Sequence, residues 1–153
     1  MGVLMQIGFR VRSALLRGLR IRTRGVKAMV FNRRGELLLI RNSYGNSGVW
    51  VLPGGGIGRG ETPEAAASRE IEEETGLAVK RLAFVSRHTS SAEGRRDSIH
   101  LFRADADGEP VADPIEVEEA RFFRLDALPE AVSPSTRRRI AEHLGETEVD
   151  PLW

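Results

Sequence analysis

Three glutamates near the middle of the chain have a spacing that suits metal chemistry. Glu70, Glu73 and Glu74 are spaced i, i+3 and i+4, so on an α-helix their side chains project from one face, with Cβ atoms roughly 5–6 Å apart. Like charges this close destabilise a helix, and a hard divalent cation such as Mg²⁺, which takes oxygen ligands, would offset the repulsion. The alternative is a solvated acidic helix paired with lysines and arginines.

The residues around these glutamates favour the metal site. Gly54, Gly55 and Gly56 precede the acidic cluster, and Gly76 follows it. A merely solvated helix needs neither a glycine run before it nor a glycine at a fixed distance after it. The stretch from Gly55 to Leu77 reads GGIGRGETPEAAASREIEEETGL. It resembles the signature of the Nudix hydrolases, Gly-x5-Glu-x7-Arg-Glu-U-x-Glu-Glu-x-Gly-U with U a bulky aliphatic, at every fixed position.

This resemblance implies a fold, an activity and a set of ligands. The implied fold is the Nudix-type α/β/α sandwich, in which a mixed β-sheet lies between helices. The implied activity is hydrolysis of phosphoric anhydride bonds with Mg²⁺, or Mn²⁺, as the cofactor. The implied metal ligands are the carbonyl of Gly55 and the carboxylates of Glu70, Glu73 and Glu74.

Further catalytic roles follow from the same resemblance. Glu73 is the first candidate for the general base, and four acids outside the motif stay open for that role: Glu93, Asp97, Glu116 and Glu118. Arg69 lies four residues before Glu73, so an ion pair can orient that ligand. Glu61 is expected to orient the start of the helix or the side chains that support the metal ligands.

Recognition of the rest of the substrate is less visible in the sequence. Arg41, Trp50 and Tyr44 are candidates for substrate binding, by phosphate pairing or by stacking on a base. The competing interpretations are a surface ion pair for Arg41 and a core position for each aromatic residue. Phe84 and Phe102 have the same two interpretations, and His88 and His100 are expected to pack within strands.

The expected substrate is a nucleoside diphosphate linked to another moiety, such as a nucleotide, a nucleotide sugar or a dinucleotide, and the expected reaction cleaves its pyrophosphate bond. Two alternatives stay open, a pyrophosphohydrolase acting on RNA 5′ ends and a non-enzymatic nucleotide sensor with the same fold. The region Ser91–Gly94 lacks the proline or tyrosine that often marks ADP-ribose or diadenosine-polyphosphate subfamilies.

Composition limits the remaining possibilities. The 153 residues suit one domain with its own core. Cysteine is absent, which excludes disulfides and thiolate metal sites and fits a reducing cytoplasm. No stretch approaches the roughly 18 apolar residues of a membrane span.

Charge divides the chain into a basic arm and an acidic body. Nine basic residues precede the first acid, Glu36, and the remainder has a net charge of −8. Residues 1–23 are therefore interpreted as a basic, helical arm, 24–145 as the catalytic domain and 146–153 as a tail. The arm contains the apolar residues Phe9, Val11 and Leu15. They favour packing of the arm on the body or in a homodimer. Contact of the arm with nucleic acid or with an anionic membrane stays open as an alternative.

Hydrophobic periodicity and turn residues predict the elements that position the motif. A helix is expected to begin after the N-cap residue Thr62 and to end at Gly76, preceded by a loop over 54–60. A final helix is expected at 135–144. Strands are expected at 25–31, 36–41, 49–52, 78–88, 97–105 and 119–125.

Overall fold

The computed structural model describes residues 24–45, 48–90 and 97–153. The arm at 1–23 and the candidate base Glu93 lie outside the described residues, as does the rest of the region 91–94. No helix in the described ranges is long and apolar enough to cross a membrane.

One mixed sheet of seven strands forms the centre of the described molecule. Its strands are β1 (Arg24–Phe31), β2 (Leu37–Asn42), β3 (Trp50–Val51), β4 (Gly54–Gly56), β5 (Lys80–Ser90), β6 (Asp97–Asp105) and β7 (Val117–Phe123). The main path runs β3-β2-β1-β6-β5, while β4 pairs with β1 and β7 pairs with β2. Only β1 and β6 run parallel, from Arg24 opposite Ser98 to Phe31 opposite Asp105; the other pairs are antiparallel.

Within the described residues, two helices cover the two faces of the sheet, α1 (Pro63–Thr75) and α2 (Pro134–His143). Alternate residues of β1 point to opposite faces: Val26, Ala28 and Val30 pack with Ala67 and Ile71 of α1. Met29 and Phe31 pack in a second cluster with Ile140 of α2. The sheet therefore lies between helices, as the resemblance implied.

The ends of α1 fall where the sequence predicts them. The Thr62 hydroxyl accepts a hydrogen bond from the Ala65 N–H at 3.2 Å. Gly76 adopts the left-handed conformation with φ 70°, and its N–H donates to the Glu72 carbonyl at 2.8 Å. These caps define where the helix begins and ends, and therefore which residues of the helix face the sheet.

The predicted strands and the last helix are confirmed to within about two residues, with one correction. The segment 54–60 was expected to be a loop throughout, but Gly54–Gly56 forms β4, which pairs with Gly25, Val26 and Lys27. Glycine carries no side-chain signal for a strand. The backbone forms β4 here because its own amide and carbonyl groups meet those of β1.

Candidate active site

Strand β4 can approach β1 and α1 closely because two of its residues lack a side chain. A Cβ on Gly54, which has φ 150°, would lie 2.0 Å from the Val26 carbonyl oxygen. A Cβ on Gly55 would lie 2.5 Å from the carboxyl carbon of Glu70. The two glycines therefore allow the helix carboxylates to lie directly against the strand backbone.

Glu70 and Glu74 turn from α1 toward this strand and are buried. Glu74 accepts a hydrogen bond from the Gly54 N–H at 3.0 Å, and Glu70 contacts Gly55. Glu73 is partly buried, whereas Glu72 is exposed on another side of the helix. The helix thus directs Glu70, Glu73 and Glu74 away from the position of Glu72, as their spacing predicts.

The Arg69 guanidinium connects the motif. It donates to both Glu61 carboxylate oxygens at 2.7 and 2.8 Å and to Glu70 at 2.8 Å. It also donates to the Gly56 carbonyl at 3.0 Å, and it lies 3.3 Å from Glu73. The Arg69 side chain therefore links Glu61, which precedes α1, with the acids of α1 and with the backbone of β4.

These contacts stabilise the charged form of Arg69. The hydrogen bonds to Glu61, above all, raise the pKa of Arg69 beyond its usual range, so the guanidinium stays charged. Glu61 also accepts from the Gly58 N–H at 2.8 Å. One guanidinium therefore pairs with three carboxylates of the motif.

The donor atoms here suit a hard cation. The carboxylates of Glu70, Glu73 and Glu74 and the backbone of Gly55 supply oxygen, the ligand atom that Mg²⁺ prefers. As the side chains stand, no three acidic or histidine residues in the described ranges converge on one point as a metal site. In this arrangement, Arg69 supplies the positive charge beside Glu70 and Glu73.

A cleft of about 220 Å³ lies beside β4 at the amino-terminal ends of β1 and β6. Its positive groups are Arg24 and Lys27, and the ammonium of Lys27 donates to the Leu52 carbonyl at 2.9 Å. The full lining is Arg24, Gly25, Val26, Lys27, Asn42, Tyr44, Gly54, Gly55, Gly56, Ser90, Asp97 and Ile99. Two other concavities lie at the far end of β1, around Asp107.

The three predicted substrate-binding residues do not lie together in this cleft. Tyr44 lines it and is 58% exposed. Trp50 is 7% exposed and packs edge-to-face on Phe123 with ring centres 4.8 Å apart. Arg41 lies over the Trp50 ring at 5.1 Å and donates to Glu119 at 2.7 Å. Neither Trp50 nor Arg41 is among the cleft residues.

The other candidates fall in different places. Asp97 lines the cleft, whereas Glu118 lies 3.6 Å from Arg41. Phe102 is in the core and Phe84 is exposed. His88 is buried and its imidazole contacts Ser86 and the Asp150 carbonyl, and His100 packs near Phe84 with ring centres 6.3 Å apart.

Sequence reasoning missed Arg24, Lys27 and Ser90 as cleft residues. For Lys27 a signal existed, because it is the one charged residue within the apolar run GVKAMVF. Its ammonium needs a polar environment, so its position predicts the edge of a site. No comparable signal marks Ser90, whose place depends on the pairing of β5 with β6.

Comparison with known proteins gives one consistent family. The NUDIX domain family matches residues 21–144. The chain is similar to "NAD-capped RNA hydrolase NudC" of Salmonella heidelberg, with 35% identity over 116 residues that cover 74% of this chain and 44% of that protein. The chain thus spans less than half the length of this relative.

Solved structures give the same result. The MutT NUDIX hydrolase of Burkholderia pseudomallei matches with a TM-score of 0.69 and 32% identity, covering 79% of this chain and 97% of that one. The MutT protein of Methanosarcina mazei Go1 shares the fold, with a TM-score of 0.67 and 23% identity over 84% of this chain and 96% of that one. From its complete motif, its sandwich fold and these matches, the chain belongs to the NUDIX hydrolase family.

Proposed function

We propose that this protein is a metal-dependent hydrolase that cleaves the pyrophosphate bond of a nucleoside diphosphate linked to another moiety. The observation that carries the proposal is the contact of Glu70 with Gly55 and of Glu74 with Gly54, in a strand that also lines a cleft containing Arg24 and Lys27. Acidic groups for a cation and basic groups for phosphate therefore meet at the same three glycines.

The metal would be held by Glu70, Glu73, Glu74 and the Gly55 carbonyl. When bound, Mg²⁺, or Mn²⁺ in its place, neutralises diphosphate charge and lowers the pKa of water. Glu73 is the proposed base, which accepts the proton of the attacking water; general-base catalysis typically contributes roughly 10²–10⁴-fold. Arg69 holds Glu61, Glu70 and Glu73 in place and does not contact the substrate.

Binding of the diphosphate is assigned to the cleft. Lys27 lies on β1 opposite Gly54 and lines the cleft, so its ammonium is the proposed partner of a phosphate held there. Arg24 adds a second positive charge in the same cleft. Tyr44, which is exposed at the rim, is the proposed stacking surface for a base, because an aromatic face supports stacking on any nucleobase.

A second candidate is hydrolysis at RNA 5′ ends. It is supported by the similarity to a relative named as an NAD-capped RNA hydrolase and by the nine basic residues that precede Glu36. Binding that depends on phosphate contacts weakens steeply with salt. Deleting residues 1–22 should then abolish a salt-sensitive association with RNA while turnover of small nucleotides persists. A nucleotide sensor is disfavoured, because a sensor has no need of the full acidic cluster.

The proposal is tested by a hydrolysis screen with Mg²⁺ over nucleotide sugars, dinucleotides, nucleoside triphosphates, and NAD-capped and 5′-triphosphate RNA. Products should be two phosphate-bearing fragments or a monophosphate with pyrophosphate. In ¹⁸O-water the label should appear on a phosphate oxygen. Label only on a carbon-bound hydroxyl, or no cleavage of any substrate, contradicts the proposed reaction.

A further inference from the structure

Asp97 has a carboxylate oxygen without a partner at the wall of the cleft. Its Oδ1 is buried and makes no hydrogen bond within the described chain, although Asp97 lines the cleft. A buried acceptor with no donor loses its hydration without compensation, so such groups in native proteins call for an explanation. A ligand that donates a hydrogen bond into the cleft would supply the missing partner.

The position of Asp97 indicates which part of a nucleotide reaches it. Strand β1 pairs with β4 on one side and with β6 on the other, so Gly25 lies between Gly56 and Ile99. Asp97 is two residues before Ile99. Two strand spacings and two residues along a strand place Asp97 about 12 Å from β4. A diphosphate held at β4 and its attached sugar together span a distance of this order.

The end of the β5–β6 strand pair that carries Asp97 is held from outside the sheet. Asp97 pairs with Ser90, and Ser90 directly follows Thr89 along β5. The Thr89 N–H donates to the Pro151 carbonyl at 2.9 Å, and its carbonyl accepts from the Trp153 N–H at 3.0 Å. Both outward-facing backbone groups of Thr89 are therefore fixed, which holds the start of β6 in place before a ligand binds.

We propose that Asp97 is a specificity-determining residue that accepts a hydrogen bond from a hydroxyl group of the nucleotide's ribose. The proposal rests on the proposed function, since it requires the diphosphate to lie at β4. A site built to hydrogen-bond a hydroxyl strongly rejects the analogue that lacks it, because its own acceptor is then left unpaired. Asp97 thus makes the cleft selective for ribonucleotides.

The test compares ADP with 2′,3′-dideoxy-ADP, and UDP with its dideoxy form, by calorimetric titration in Mg²⁺. Every nucleotide carries an α,β-methylene bridge, which prevents hydrolysis, and the background protein is native, so the proposed metal ligand Glu73 stays in place. This background should bind the ribonucleotides at least tenfold more tightly than the dideoxy forms. Adding Asp97→Ala should reduce that preference below twofold, mainly through weaker ribonucleotide binding. Adding Asp97→Asn, which keeps the shape, should reduce the preference at least threefold.

Asp105→Ala is the matched control, because Asp105 ends the same strand far from the cleft and pairs with Arg81. It should keep the tenfold preference. Melting temperatures check folding, and the Asn variant decides if the Ala variant does not fold. Three results would overturn the proposal. The first is that the background protein shows no preference for the ribonucleotides, and the second is that it binds neither ribonucleotide measurably. The third is that Asp97→Ala weakens the binding of the ribonucleotide and of the dideoxy form equally. Because binding alone is measured, these outcomes are independent of which bond the protein hydrolyses.

Discussion

The carboxylate of Glu70 lies directly against the backbone of Gly55. A Cβ on Gly55 would be 2.5 Å from the Glu70 carboxyl carbon and 2.6 Å from one of its oxygens. Gly55 is not among the glycines with positive φ, so close approach, not backbone conformation, requires glycine at this position. The close packing of β4 against α1 therefore depends on the absence of a side chain at Gly55.

Gly55→Ala should displace Glu70 and lower both activity and stability. Overpacking of this kind typically costs about 1–3 kcal/mol, and loss of an aligned ligand should reduce kcat at least about 10²-fold. In the double variant Gly55→Ala/Glu70→Ala the clash is gone. The double variant should therefore lose less stability than the sum of the single variants, without regaining activity. Chemical denaturation measures this coupling; strictly additive losses would argue against the contact.

Arg69→Gln should destabilise the fold, because Glu70 is wholly buried and would lose a charged partner. Removing one partner of a fully buried ion pair lowers the free energy of unfolding by about 3–5 kcal/mol. Because the Arg69 side chain is 28% exposed, we expect a smaller loss of about 2–3 kcal/mol for Arg69→Gln. Arg69→Lys should recover little, since an ammonium lacks the planar fork that reaches Glu61, Glu70 and Gly56 together.

Arg124→Gln is the control for Arg69, because Arg124 and its partner Asp126 are both exposed. Such surface pairs contribute about 0–1 kcal/mol. Urea unfolding of the three variants gives the comparison. Equal, small losses for Arg69→Gln and Arg124→Gln would show that Arg69 does not stabilise the buried carboxylate.

The contrast between α1 and β4 shows how far the sequence predicts this site. The helix has local signals, Thr62 at its start and Gly76 at its end, and the spacing of its glutamates alone gives their shared face. Strand β4 has none, because three glycines carry no pattern. The place of Asp97 in the cleft depends on the parallel pairing of β1 with β6, a long-range contact that no local sequence signal specifies.

Trp153→Ala should destabilise the protein through the buried Arg139. The Arg139 guanidinium lies 5.3 Å from the centre of the Trp153 ring, contacts His88 and is 1% exposed. Loss of this ring contact, together with the packing of the Trp153 side chain itself, should lower the free energy of unfolding by about 2–3 kcal/mol. Leu152→Ala is the neighbouring control, because Leu152 is 57% exposed and should change stability by less than about 0.5 kcal/mol. Equal thermal stability of the two variants would contradict this role for Trp153.

The three histidines make folding sensitive to mild acid. Burial lowers the pKa of His88, with a further contribution from Arg139, and burial also lowers the pKa of His100 and of His143. The unfolded chain therefore binds more protons than the folded chain once the pH falls below about 6.5. Stability should be intact above that pH and should decrease as the pH falls toward 5.

His88→Asn removes one of these titrations. The melting temperature of this variant should depend less on pH between 7 and 5 than that of the native protein, although its value at pH 7 is lower because the contacts with Ser86 and Asp150 change. Parallel pH curves for the two proteins would show that His88 does not contribute.

Acids on one face of α1 are proposed to carry out metal-dependent hydrolysis. The most direct measurement is kcat for the best substrate in Mg²⁺ and in EDTA, for the native protein and for Glu73→Gln, Glu74→Gln and Glu72→Gln. Glu72 is the matched control, since it lies on the same helix but is exposed. We expect activity only with the metal, a loss of roughly 10² or more for Glu73→Gln and Glu74→Gln, and near-native activity for Glu72→Gln. Full activity in EDTA, or equal activity of all three variants, would contradict the account.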